Sequence, residues 1–179
     1  MKKFLMLSLL ISLLLIFSSF EFNNYQGRSL KNKKAVNFTL KDIKGNTVSL
    51  SDFRGKIMVL NFWATWSAAS LKEMVHLNEL AQNYSDKIQV IGIAVVSRNS
   101  KIASKVKAAG VHYPVLIGSK KIIADYGYFS AIPNTFIING DGIIVKELPG
   151  SHKYEELEQV LRKVLFPKKS KEKSHLSSN

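Results

Sequence analysis

The residues best placed to do chemistry are two serines, Ser67 and Ser70, directly after Trp66 and at the head of a segment with helical periodicity. A hydroxyl there has two uses. It can cap the helix by accepting a hydrogen bond from the backbone N–H of Ala69 or Ser70. It can instead attack a substrate, which requires a base within hydrogen-bond reach. The four histidines do not supply that base. His76 lies nine positions along the same helix, about 13 Å of rise away. His112, before Tyr113-Pro114, reads as a loop or strand-edge residue, His152 falls beside the last helix cap, and His175 is in the tail. No carboxylate pair, metal-ligand spacing or phosphate loop is present, and Gly140-Asp141-Gly142 reads as a hairpin turn. The chain has no cysteine. That excludes disulfides, thiolate metal sites, a cysteine nucleophile and a lipid-modified cysteine anchor. Capping is the expected role of Ser67, and neither a metal nor a cofactor is expected.

The elements around these serines follow from hydrophobic patterning. Val36 to Leu40 and Thr47 to Leu50 alternate as strands on either side of the turn Lys44-Gly45-Asn46, a hairpin. Ser51-Asp52 opens a local helical turn that ends near Gly55. Ile57 to Trp63 is nearly continuous apolar, the pattern of a strand buried on both faces. A helix is predicted from Ser67 to Tyr84, with Leu71, Met74, Val75, Leu80, Ala81 and Tyr84 inward and Lys72, Glu73, Glu79 and Gln82 outward. A second buried strand spans Ile88 to Val96. A short helix over Lys101 to Ala109 ends on Gly110 as a left-handed cap. Val115 to Ile117 is a strand and Lys120 to Tyr126 a short helix. Thr135 to Ile138 and Ile143 to Leu148 form a hairpin across residues 139–142. The last helix runs from Lys153 to Phe166, with Ser151 as its cap and Pro167 as its stop. This order predicts one α/β domain, a mixed central sheet with helices on both faces and an N-terminal hairpin.

The segment from Val59 to Met74, VLNFWATWSAASLKEM, resembles the active-site region of the TlpA/ResA-like, thioredoxin-fold (redoxin) disulfide reductases. The segment from Ala131 to Gly140, AIPNTFIING, is similar to that family's second signature, a cis-proline before a strand. The resemblance covers roughly residues 36–165. It implies a thioredoxin-like fold and a redox Cys-x-x-Cys where this chain has Ser67-Ala68-Ala69-Ser70. It also implies a cis bond between Ile132 and Pro133, in a loop that faces the redox pair and lines a groove for an extended partner peptide. Two departures accompany the lost sulfurs. The pair between the serines is Ala68-Ala69, without the frequent proline, and Val75 follows Met74 where the family's helix usually has a kinking proline.

The physics of that motif states the loss. A thiol, with a pKa near 8.5, becomes a reactive thiolate at a helix N-terminus, and a second thiol one turn on resolves the mixed disulfide. A serine hydroxyl does neither. The expected function is a redox-inactive module that binds a protein or peptide through Trp66, Ser67, Ala68, Ala69, Ser70, Ile132 and Pro133. The alternative is a thiol–disulfide oxidoreductase whose cysteines were replaced by serine to silence or trap it.

Charge and the chain ends bear on location. The net charge is +13, from 26 Lys/Arg against 13 Asp/Glu, and more than half of it lies in residues 1–35 and 167–179. Basic flanks suit solubility or an anionic membrane surface. No base-stacking motif accompanies them, so nucleic acid is not an expected partner. Lys2 and Lys3 precede an uncharged apolar run from Phe4 to Phe20, either a signal-peptide core or a membrane anchor. Both readings place the domain outside the cytoplasm, in the periplasm or on the outer face of the cytoplasmic membrane, with the lysines left inside. Residues 21–35 read as a linker, 36–166 as the domain and 167–179 as a basic disordered tail.

Overall fold

The structure is a computed structural model that describes residues 29–128 and 130–167. The apolar run 4–20, most of the expected linker and nearly all of the tail lie outside the described residues. Within them, seven strands and four α-helices follow in the order β1 (Thr39–Lys41), β2 (Thr47–Ser49), β3 (Ile57–Trp63), α1 (Ala68–Asn83), β4 (Ile88–Ala94), α2 (Asn99–Ala108), β5 (Val115–Ile117), α3 (Lys120–Asp125), β6 (Asn134–Ile138), β7 (Ile144–Pro149) and α4 (Tyr154–Leu165). A 3-10 turn over Leu50–Phe53 follows β2, capped by reciprocal contacts between Ser49 and Asp52. No described helix is long and apolar enough to cross a membrane.

Five strands form the central sheet in the order β5-β4-β3-β6-β7. β3 runs parallel to β4, and β4 parallel to β5, whereas β6 and β7 are antiparallel to their neighbours. β1 and β2 pair as the separate N-terminal hairpin. This is the mixed sheet with an N-terminal hairpin expected from the element order, and the thioredoxin-like architecture that the resemblance implies. β3 sits at the centre because both of its faces are apolar. Val59 and Trp63 enter a core covered by α1, α2 and α4, with Met74, Leu77, Leu80, Ile102, Val106, Leu157 and Leu161. Met58, Leu60 and Phe62 enter a second core under the N-terminal segment and α3, with Phe38, Leu50, Ile122 and Tyr126. There Phe62, Tyr126 and Phe136 pack edge-on or tilted at 5.1–5.8 Å between centroids, a favoured aromatic geometry.

Four local expectations shift. The segment before β1 does more than link. Asn32 N–H donates to Ile144 O (2.8 Å), Ala35 N–H to Gly142 O (2.8 Å) and Ile144 N–H to Lys33 O (2.9 Å), and Leu30 and Ala35 pack on the second core. The stripe of α1 is rotated from the expected one. Val75 is 51% exposed, while Glu73 is fully buried, as is Leu77. The cap of α4 is Lys153 and not Ser151, because the Ser151 hydroxyl donates instead to Ala69 O at the head of α1 (3.2 Å). β4 ends at Ala94, two residues early, because Val96 turns to φ +48°. The end of α2 is as expected: Gly110 adopts φ +63°, which favours a residue without Cβ.

Candidate functional site

β3 carries the chain to the C-terminal edge of the sheet, where Ala64 to Ser67 turn it into α1. Ser67 has extended backbone angles and caps α1, its Oγ accepting from Ser70 N–H at 3.2 Å. That satisfies one of the otherwise unpaired N–H groups of the first turn. Ser70 is fully buried, and its Oγ accepts from Ala64 N–H at 3.4 Å. Ala68 and Ala69 are exposed between them.

The loop before β6 closes over this turn. The Ile132–Pro133 bond is cis, and Pro133 O accepts from Gly150 N–H at the end of β7 (2.9 Å). Ile132 O faces the helix head and accepts a long hydrogen bond from Ser67 Oγ at 3.5 Å. The two segments singled out in the sequence, 66–70 and 132–133, therefore meet across β3 and β6. The two tryptophans divide. Trp63 is fully buried, and Trp66 is 65% exposed, its Nε1–H donating to Val96 O at 3.0 Å. Neither serine hydroxyl is hydrogen-bonded to a histidine or a carboxylate, so neither has the base that a serine nucleophile needs. The His152 ring is bonded through Nδ1 to Glu156 at 3.0 Å, neither His76 nor His112 is bonded to a serine, and His175 is outside the described residues. Among the described residues no cluster of His, Asp and Glu could hold a metal ion.

Sequence reasoning missed the group behind the serines. Glu73, one turn beyond Ser70, points into the sheet. Its Oε2 accepts from Asn61 Nδ2 at 3.2 Å and its Oε1 from the backbone N–H of His152 at 3.4 Å. Asn61 also donates to Thr135 Oγ1 at 2.9 Å. Burial dominates these contacts and pushes the Glu73 carboxyl up to about 7, against the lowering pull of the His152 N–H and the Asn61 and Thr135 side chains. Desolvation disfavours the charged form, and three donors offset it only in part. Near neutral pH this group changes charge inside the domain, under the helix head. Two signals pointed to it. Asn61 is the lone polar residue in an otherwise apolar strand. Glu73 also shares the heptad-spaced stripe of Ser70, Leu77 and Leu80.

With this geometry in place, similarity to known proteins is informative. The AhpC/TSA family pattern matches residues 32–147. The chain is 34% identical over 172 residues to the thiol-disulfide oxidoreductase ResA of Bacillus thuringiensis subsp. konkukian (strain 97-27), covering 92% of this chain and 99% of that one. This chain belongs to the AhpC/TSA redoxin family and is homologous to its ResA-type thioredoxin-fold members. It is also 36% identical over 133 residues to the thioredoxin-like protein YneN of Bacillus subtilis (strain 168), covering 72% of this chain and 77% of that one. The crystal structure of a thiol:disulfide interchange protein of the thioredoxin family from Chlorobium tepidum TLS shares the fold at TM-score 0.69 and 21% identity, over 77% of this chain and 99% of that one. As a ResA-like redoxin without a single cysteine, the chain keeps the family's fold and lacks its sulfur.

Proposed function

We propose that this redoxin is an extracytoplasmic binding module without thiol–disulfide exchange activity. Its groove holds an extended segment of another protein between the exposed Trp66 and the Ile132-Pro133 loop. The observation that carries the reading is the pair Ser67 and Ser70 at the head of α1, one capping the helix and the other buried. A thiol there would be activated by the helix N-terminus, whereas a hydroxyl stays protonated and forms no disulfide. What remains at the site is shape and hydrogen bonding: a half-buried Ile132, a cis-proline and an exposed indole around a capped helix end. Those features suit reversible, non-covalent contact with a peptide. The apolar run Phe4 to Phe20 behind Lys2 and Lys3 supports placement outside the cytoplasm, by a cleaved signal or a retained anchor.

The test has two arms. In an insulin-reduction assay the chain should show no turnover above buffer. From envelope extracts it should retain a partner that is lost on Trp66→Ala and on Pro133→Ala. Turnover of a dithiol by the cysteine-free chain would overturn the first half. Retention of the same partner by both variants would overturn the second.

A further inference from the structure

The groove continues past Trp66, on the side of β3 away from the proline loop. There the ends of β4 and β5 and the segments leading into α2 and α3 enclose a cleft of about 660 Å³. Its floor is Ala94, Gly118 and Ile123, its walls carry the exposed Trp66 and Val96, and Arg98 and Lys120 stand at its rim. No acidic side chain lines it. Arg98 and Lys120 form no ion pair among the described residues, whereas the neighbouring Lys121 is paired with Asp125 at 2.6 Å.

The cleft is held in shape by bonds of its own walls. Trp66 Nε1–H is anchored on Val96 O at 3.0 Å, which ties the indole to the opposite lining segment. Ser97 Oγ donates to Val95 O (3.0 Å) and accepts from Thr65 N–H (2.9 Å). Val96 is kept at φ +48° with its side chain 66% exposed. A β-branched residue rarely adopts that conformation, and here it presents an apolar side chain to solvent beside the indole. Gly118 packs so closely on β4 that a Cβ would lie 2.8 Å from Ala94 O, which keeps the floor open.

We propose that this cleft binds an acidic stretch of an extended polypeptide. A Glu or Asp side chain sits between Arg98 and Lys120, and an apolar side chain packs on Trp66 and Val96. This deepens the peptide-binding reading of the adjoining groove and rests on it. Charge complementarity selects the occupant: two unpaired cations with no local anion attract a carboxylate, and such complementarity sets specificity and on-rate more than bulk affinity. A single-stranded nucleic acid fits less well. It needs a succession of stacking faces along a cationic track, and the cleft offers one ring.

The experiment is selection of octapeptides from a random display library on the full chain. The enriched sequence is then made as a fluorescent peptide and its binding followed by anisotropy. Enriched sequences should pair Asp or Glu with an aromatic or aliphatic residue. The double variant Arg98→Ala, Lys120→Ala should weaken binding about tenfold or more, as should half-molar salt, with an unchanged thermal midpoint. Pro133→Ala reads the adjoining groove separately. Peptides without acidic residues, or binding indifferent to the double variant but lost on Pro133→Ala, overturn this proposal and leave the groove reading standing. Acidic peptides that need Arg98 and Lys120 but not Pro133 uphold the cleft and overturn that reading. No enrichment overturns both. Displacement of the acidic peptide by an equal concentration of an oligothymidylate overturns the choice of occupant.

Discussion

Glu73 and Ser67 have opposite consequences for stability, and both can be measured. The carboxyl of Glu73 is raised from 4.5 to about 7 in the folded protein, chiefly by burial. The folded state therefore binds the proton more tightly than the unfolded one. Glu73 is at its most favourable below about pH 4.5, and its contribution declines as pH rises through about 7. The shift corresponds to on the order of 3 kcal/mol between the limits. Urea unfolding at pH 5, 6, 7 and 8 should show stability falling across this window in the natural chain and a flatter profile in Glu73→Gln. An equally steep decline in that variant would remove Glu73 as its source. Ser67→Ala loses the cap on α1 and should cost about 1 kcal/mol at every pH, read from the same titrations, with Ser67→Asp recovering most of it. Putting sulfur back tests the chemical premise. In Ser67→Cys, Ser70→Cys the first thiol replaces a hydroxyl whose oxygen lies 3.2 Å from Ser70 N–H, so its pKa should fall below 8.5. Insulin reduction should appear in the double variant and be absent from either single one.

The elements that position these residues were legible to different degrees. β3 was read with its observed bounds, because a seven-residue run that is apolar but for Asn61 suits a strand buried on both faces. α1 was read with nearly correct ends but the wrong rotation, since a charged residue is assigned to solvent by default. Glu73 defies that default because Asn61, Thr135 and the His152 N–H receive it. Those partners are 12 or more positions distant, and although Asn61 stands out in its strand, no local pattern pairs it with Glu73. Ser151 was misread for the same reason: its hydroxyl serves α1, 82 positions upstream. The motif segments 66–70 and 132–133 were placed from the resemblance, but the hydrogen bond that joins them is a tertiary fact. The role of residues 30–35 was hidden too, because a short, largely polar arm carries no periodicity. Its attachment is testable. Tyr126 Oη donates to Val36 O at 2.9 Å, from a ring buried against Phe62 and Phe136. Tyr126→Phe keeps the ring and removes that bond, at a cost of about 1 kcal/mol. Amide hydrogen exchange should quicken over residues 30–38 and stay unchanged in β3 and β4. Uniform acceleration would mean the arm is not separately held.

The sheet divides the domain into two cores, and β3 belongs to both through alternate side chains. A strand shared in this way should couple the two sides, since neither core can open without uncovering the opposite face of β3. The proposed groove would share that coupling. Its helix head comes off β3, and its proline loop leads into β6, which pairs with β3 from Met58 to Phe62. Leu161→Ala, in α4 on one side, and Ile122→Ala, under α3 on the other, each delete a buried side chain and should cost about 2–5 kcal/mol. If the cores form one unit, each substitution lowers a single urea midpoint. In a Trp66→Phe background, far-UV circular dichroism should then coincide with the fluorescence of Trp63, which reports from the first core. Separated transitions in Ile122→Ala, with Trp63 fluorescence unmoved while helix signal is lost, would show instead that the second core opens alone. The proline loop and the cleft would open with it, because Ile132 and Ile123 pack on the second core, and peptide binding should fall with that partial opening.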